Sequence, residues 1–109
     1  MMRQRIAKLV ETALRSAAAS QELVSSPLPT VVIGLPANPE HGDFSCNIAM
    51  QIAKAERKAP RQLAETLIKH IGNGEGLLSK VEIAGPGFIN FFVEPAAWQS
   101  ELLEIEKLG

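Results

Sequence analysis

The 109-residue chain holds one cysteine, Cys46, two histidines, one tryptophan and no tyrosine. A single cysteine excludes an internal disulfide and suits a reducing compartment. His41 and His70 with that cysteine fall short of the four ligands of a structural zinc site. No apolar run approaches the ~20 residues of a membrane-spanning helix. The start, M-M-R-Q-R-I-A-K, lacks the uninterrupted apolar segment of a signal peptide, so a cytoplasmic protein without a membrane partner is expected. A basic excess is missing too: 11 Lys and Arg against 12 Asp and Glu leave a net charge of −1. No general field draws such a chain to nucleic acid, and any RNA contact must be local and shape-based. The length fits one domain over residues 1–109, with one core and little room for a multi-substrate active site.

What is present is strong periodicity. Ile6, Leu9, Val10, Ala13, Leu14 and Ala17 recur at three- and four-residue spacing and predict an amphipathic first helix. Ser25, Ser26, Pro27 and Pro29 mark a linker. The β-branched run at 30–35 predicts a buried strand, and Asp43 or Ser45 is placed to cap a second helix carrying Phe44, Ile48, Ala49, Ile52 and Ala53. Pro60 suits the first turn of a third helix with Leu63, Ala64, Leu67, Ile68 and Ile71 inward, ended by Gly72-Asn73-Gly74. Pro95 opens a fourth, with Trp98, Leu102 and Ile105 on one side. The expected fold is α+β in the order α-β-α-α-β-β-α, an antiparallel sheet of three or four strands with helices packed on one face.

Residues 81–93, V-E-I-A-G-P-G-F-I-N-F-F-V, are the most informative stretch. Two strands meet at Gly85-Pro86-Gly87, a link that leaves room for another backbone or a nucleotide to approach. In the second strand Ile89, Phe91 and Val93 form an apolar face, while Phe88, Asn90 and Phe92 point the other way. An amide between two rings is what reading an unstacked nucleobase requires. Taken alone, it is more often an asparagine on the wet face of a half-covered sheet. Lys54, Arg57, Lys58 and Arg61 form the one dense basic cluster. Most such clusters are merely solvated, yet this one could hold an RNA backbone while base contacts specify elsewhere.

Other patterns fall to plainer readings. His70-Ile71-Gly72-Asn73 nearly spells the HIGH motif of class I synthetases, but it ends a helix instead of starting one, so His70 and Gly72 read as a terminal charge and a helix stop. Gly72, Gly74 and Gly76 surround Glu75 and follow no strand, unlike a phosphate loop. His41, Asp43 and Ser45 are too close in sequence to build a hydrolytic triad and read as a helix-capping loop. Gly42 is read as supplying an unusual backbone angle and Phe44 as core.

Three blocks together, N-P-E-H-G-D-F-S-C-N-I-A-M at 38–50, A-P-R-Q-L-A-E at 59–65 and the stretch at 81–93, resemble the N-terminal domain of bacterial arginyl-tRNA synthetase. They occur in the family's order, covering about residues 30–98 closely and the first helix loosely. The resemblance implies a tRNA-binding appendage that touches the D-loop corner of arginine tRNA. The family's aromatic contact then falls on Phe88 and its amide on Asn90. A further contact falls at Ala84 or Gly85, where some relatives carry a side-chain amide. It also implies a catalytic domain elsewhere in a monomeric parent enzyme, which joins arginine to tRNA with ATP. The present segment then holds no cofactor of its own and no catalytic residue. Two other readings compete: a free-standing protein-interaction domain anchored by Phe88, Phe92 and Trp98, and, ranked last, a small enzyme built on His41 and Asp43.

Overall fold

The computed structural model describes residues 2–24, 28–36 and 38–98. Helix α1 (Met2–Ala19) buries Met2, Ile6, Val10, Ala13, Leu14 and Ala17, the stripe that its spacing predicts. A 3-10 turn (Pro39–His41) leads into strand β1 (Phe44–Cys46), followed by α2 (Ile48–Glu56), α3 (Pro60–Ile71), β2 (Leu78–Ala84) and β3 (Phe88–Val93). Residues 95–98 are helical. The expected linker at Ser25, Ser26 and Pro27, and the continuation through Leu102 and Ile105, lie outside the described residues.

The α-β-α-α-β-β-α order holds, and the sheet has three antiparallel strands in the order β1-β3-β2. The first strand, however, is not the run at 30–35. Val31 and Ile33 are buried there, but only Gly34 finds a ladder partner, in an isolated bridge to Ser45. Its neighbour β1 is just three residues long, so it offers little edge to pair with. That strand occupies the positions expected to cap and begin α2. Asp43 donates its N–H to the Phe91 carbonyl and accepts the Val93 N–H on its carboxylate, both at 2.8 Å. It thus prolongs the β1–β3 pairing and caps no helix. Asn47 stands at the α2 N-cap instead, its side chain accepting from Gln51 Nε2 at 2.8 Å.

The central strand β3 faces Ile89, Phe91 and Val93 into the core, alongside Phe44 and Cys46 from β1. Helices α2 and α3 cover this face, and α1 packs on α3. Gly42 is required where the chain enters β1: φ is 125°, and a Cβ would lie 2.8 Å from the Phe91 carbonyl oxygen. Pro60 starts α3 and Gly72 ends it, as the sequence predicts.

Polar contacts between distant segments fix the helices. The buried Glu56 carboxylate accepts the Val24 N–H at 3.0 Å, holding the chain after α1 against the end of α2. His70 ties α3 to the end of α1, with Nδ1 2.9 Å from Ser16 Oγ and Nε2 2.7 Å from Glu22 Oε2. The hydrogen bond with His70 is the main reason that the Glu22 carboxyl sits below its ordinary range, with Lys69, His70 and Lys58 adding charge attraction.

Candidate nucleic-acid interface

The site begins with the hairpin register. Opposite residues share a face in an antiparallel pair, so three rows cross the outer surface of the sheet. Ala84 and Phe88 lie at the tip; Glu82, Asn90 and Ser45 cross the middle; Lys80 and Phe92 lie at the base. A bulge between Leu78 and Lys80 ends the regular register there.

The three outward residues of β3 differ sharply. Phe88 is 39% exposed at the strand end beside the turn. Phe92 is half-buried, and Lys80 Nζ lies 4.6 Å from its ring centroid, so a cation already covers it. Asn90 shares their face but is only 3% exposed, which corrects the expectation of an amide on an open surface. On a central strand it is hemmed in by Ser45 and Glu82 across the sheet and by Phe88 and Phe92 along it. Its side chain makes no hydrogen bond among the described residues, yet none of their side-chain nitrogen or oxygen atoms is both fully buried and unpartnered. Asn90 is therefore packed, and its amide atoms keep only a narrow opening to solvent. Glu82, its neighbour, is paired with Lys80 at 2.7 Å, both side chains about half exposed.

The turn at 84–87 sets the height of Phe88. Gly85 takes a positive φ of 54°, and the Gly87 N–H returns to the Ala84 carbonyl at 3.2 Å. Gly87, at φ 136°, lies so close to α3 that a Cβ would come 2.7 Å from Pro60 Cβ. Arg61 Nη1 donates to the Gly85 carbonyl at 2.6 Å. The basic cluster is thereby split. Arg61 sits at the hairpin tip, whereas Lys58 Nζ donates to the Glu22 carbonyl at 3.3 Å, toward the end of α1. Lys54 and Arg57, at the end of α2, are exposed and bond to neither hairpin strand. Of the small residues near the turn, Ala84 stands beside Phe88 on the outer face and Gly85 gives its carbonyl to Arg61.

The remaining sequence candidates take structural places. Both His70 ring nitrogens are engaged at the C-terminal end of α3, which does not fit an ATP-binding motif. His41 ends the 3-10 turn while Asp43 and Ser45 serve the sheet. Cys46 is buried, and burial pushes its thiol up, which disfavours the nucleophilic thiolate. Among the described residues, no group of three or more His, Cys, Asp and Glu could hold a metal ion, and no helix is long and apolar enough to cross a membrane. Sequence reasoning missed the Glu56 anchor, the His70 clamp and the division of the basic cluster. Each depends on segments distant in the chain, and no local pattern marks them.

Solved arginyl-tRNA synthetases share the fold. That of Plasmodium falciparum superposes with a TM-score of 0.75 at 18% identity, covering 92% of this chain and 17% of that one. That of Thermus thermophilus gives 0.73 at 19%, covering 94% and 16%. Among curated proteins, the arginine–tRNA ligases of Geobacter metallireducens and Geotalea daltonii are 49% and 45% identical over 99% of this chain. The chain spans 19% of the length of each of those relatives. Residues 4–93 match the family model described as the arginyl tRNA synthetase N terminal domain, and the chain belongs to that family.

Proposed function

We propose that this chain is the tRNA-binding domain of an arginine–tRNA ligase, and that its outer sheet face reads a nucleotide in the D-loop of arginine tRNA. The observation that carries the reading is the pairing of Phe88, the open ring of β3, with Asn90, whose amide makes no hydrogen bond among the described residues. The ring offers a stacking platform and the amide a donor and an acceptor beside it. A packed stem fixes the direction of that amide before the base arrives, which lowers the entropic cost of binding. Ala84, small and adjacent to Phe88, leaves room for the base.

The parent enzyme would join arginine to tRNA with ATP in a catalytic domain of the same chain, working as a cytoplasmic monomer. This segment contributes binding energy far from the reacting ends, and such energy serves both affinity and kcat. The test is arginylation by the full-length protein with native and D-loop-substituted tRNA. Phe88→Ala should cost ~1–3 kcal/mol in kcat/KM for lost stacking, with either tRNA. Asn90→Ala should in addition blunt discrimination against the substituted base, because an amide reads hydrogen-bond pattern and a ring does not. Unchanged kinetics in both variants would favour a protein-interaction face instead.

A further inference from the structure

Arg61 is the one member of the basic cluster that the fold brings to the base-reading face. Its Nη1 holds the Gly85 carbonyl at 2.6 Å, and a Cβ on Gly85 would lie 3.9 Å from Phe88 Cδ2. The peptide gripped by Arg61 is therefore the one beside the open ring. A guanidinium carries five N–H donors and no acceptor. That bond is the only hydrogen bond or ion pair the Arg61 side chain makes among the described residues, and the residue is exposed. Its remaining donors are directed by a side chain already locked at one end, unlike a free surface lysine. Glu82 forms no ion pair with Arg61 and is paired instead with Lys80 at 2.7 Å. In a chain of net charge −1, attraction to a polyanion has to come from such local placements.

We infer that Arg61 is a phosphate clamp with two tasks: one N–H sets the turn that positions Phe88, and the others bind the backbone phosphate of the nucleotide stacked on that ring. This rests on the base-reading function proposed above. A planar fork suits both tasks, since guanidinium binds phosphate oxygens in pairs. The positioning task acts through Phe88 and the clamping task acts on the RNA itself, so only the second depends on salt.

The full-length enzyme with arginine tRNA, assayed across a salt series, separates the two tasks. Arg61→Gln should raise KM at least about tenfold, the least expected for losing hydrogen bonds to a charged group, while kcat stays within about twofold. The slope of log(kcat/KM) against log[salt] should flatten by about 0.7–0.9, the share of one neutralised phosphate. Arg61→Lys should restore the slope but only part of KM, because an ammonium cannot serve carbonyl and phosphate as a fork. Lys8→Gln, removing an exposed cation near Ile71 at the other end of α3, should leave the slope as it is. An unchanged slope in Arg61→Gln overturns the clamp and leaves Arg61 as a support for the turn. Phe88→Ala keeps this failure distinct: if it weakens kcat/KM at unaltered slope, base reading stands whatever Arg61 does. If Phe88→Ala and Asn90→Ala both have no effect, the base-reading function falls and the clamp with it.

Discussion

Truncating Phe91 to alanine tests the orientation of β3, on which every statement about the outer face depends. Phe91 is fully buried, opposite Phe44 on one side and Val81 on the other. An aromatic ring removes roughly 150–200 Å² from water, which at ~25 cal/mol per Å² gives about 4–5 kcal/mol. That is an upper figure, because the denatured chain is not fully extended. Direct truncations of buried phenylalanines cost ~3–5 kcal/mol, and the two ranges agree. For a domain near 100 residues each kcal/mol moves Tm by about 4–8 °C, so a fall of at least ~12 °C is expected. Phe88→Ala loses a ring that is 39% exposed and should move Tm far less. The measurement is urea and thermal denaturation of both variants followed by circular dichroism. If Phe88→Ala proved as costly as Phe91→Ala, or Phe91→Ala cost under ~1 kcal/mol, β3 would face the other way and Asn90 could not meet RNA.

Gly87→Ala forces a side chain into positive φ and toward Pro60 at 2.7 Å, so denaturation should show a loss of roughly 1–3 kcal/mol, with RNA binding falling as the hairpin tip shifts; full stability would deny the tight packing of turn on helix. Glu22 predicts a pH dependence. Its folded pKa lies below the ordinary 4.5, so its contribution is complete above that value and is lost as pH falls through the lowered one. Glu22→Gln should therefore lower Tm slightly at neutral pH and not at all in strong acid, and an equal gap at both extremes would contradict the linkage. The 109-residue chain alone should give no arginine-dependent ATP–pyrophosphate exchange, and clear turnover from pure protein would overturn its assignment as a non-catalytic segment. Its RNA binding, measured by fluorescence anisotropy, should be weak and salt-sensitive, since the net charge of −1 supplies no long-range pull; tight binding at high salt would contradict this.

Local patterns in the sequence determined much of this protein. The stripe of α1, Pro60 and Gly72 bounding α3, and the period-two alternation of β3 were all readable because each is imposed by residues a few positions apart. The three motif blocks likewise placed Phe88 and Asn90 in one family and on one strand. Tertiary structure alone decided what occupies β1. Residues 30–35 have the better β propensity, but ladder pairing went to residues 44–46, which Asp43 ties to Phe91 and Val93 from about fifty residues away. It also decided how accessible Asn90 is. Alternation gives the face of a side chain, whereas burial depends on the neighbouring strands, and β3 became central only once β1 and β2 flanked it. The basic cluster was one patch in sequence and two places in space, since Arg61 turned to the hairpin and Lys58 to the chain just after α1. Non-local contacts of this kind depend on how helices and strands meet, which no short window of residues encodes.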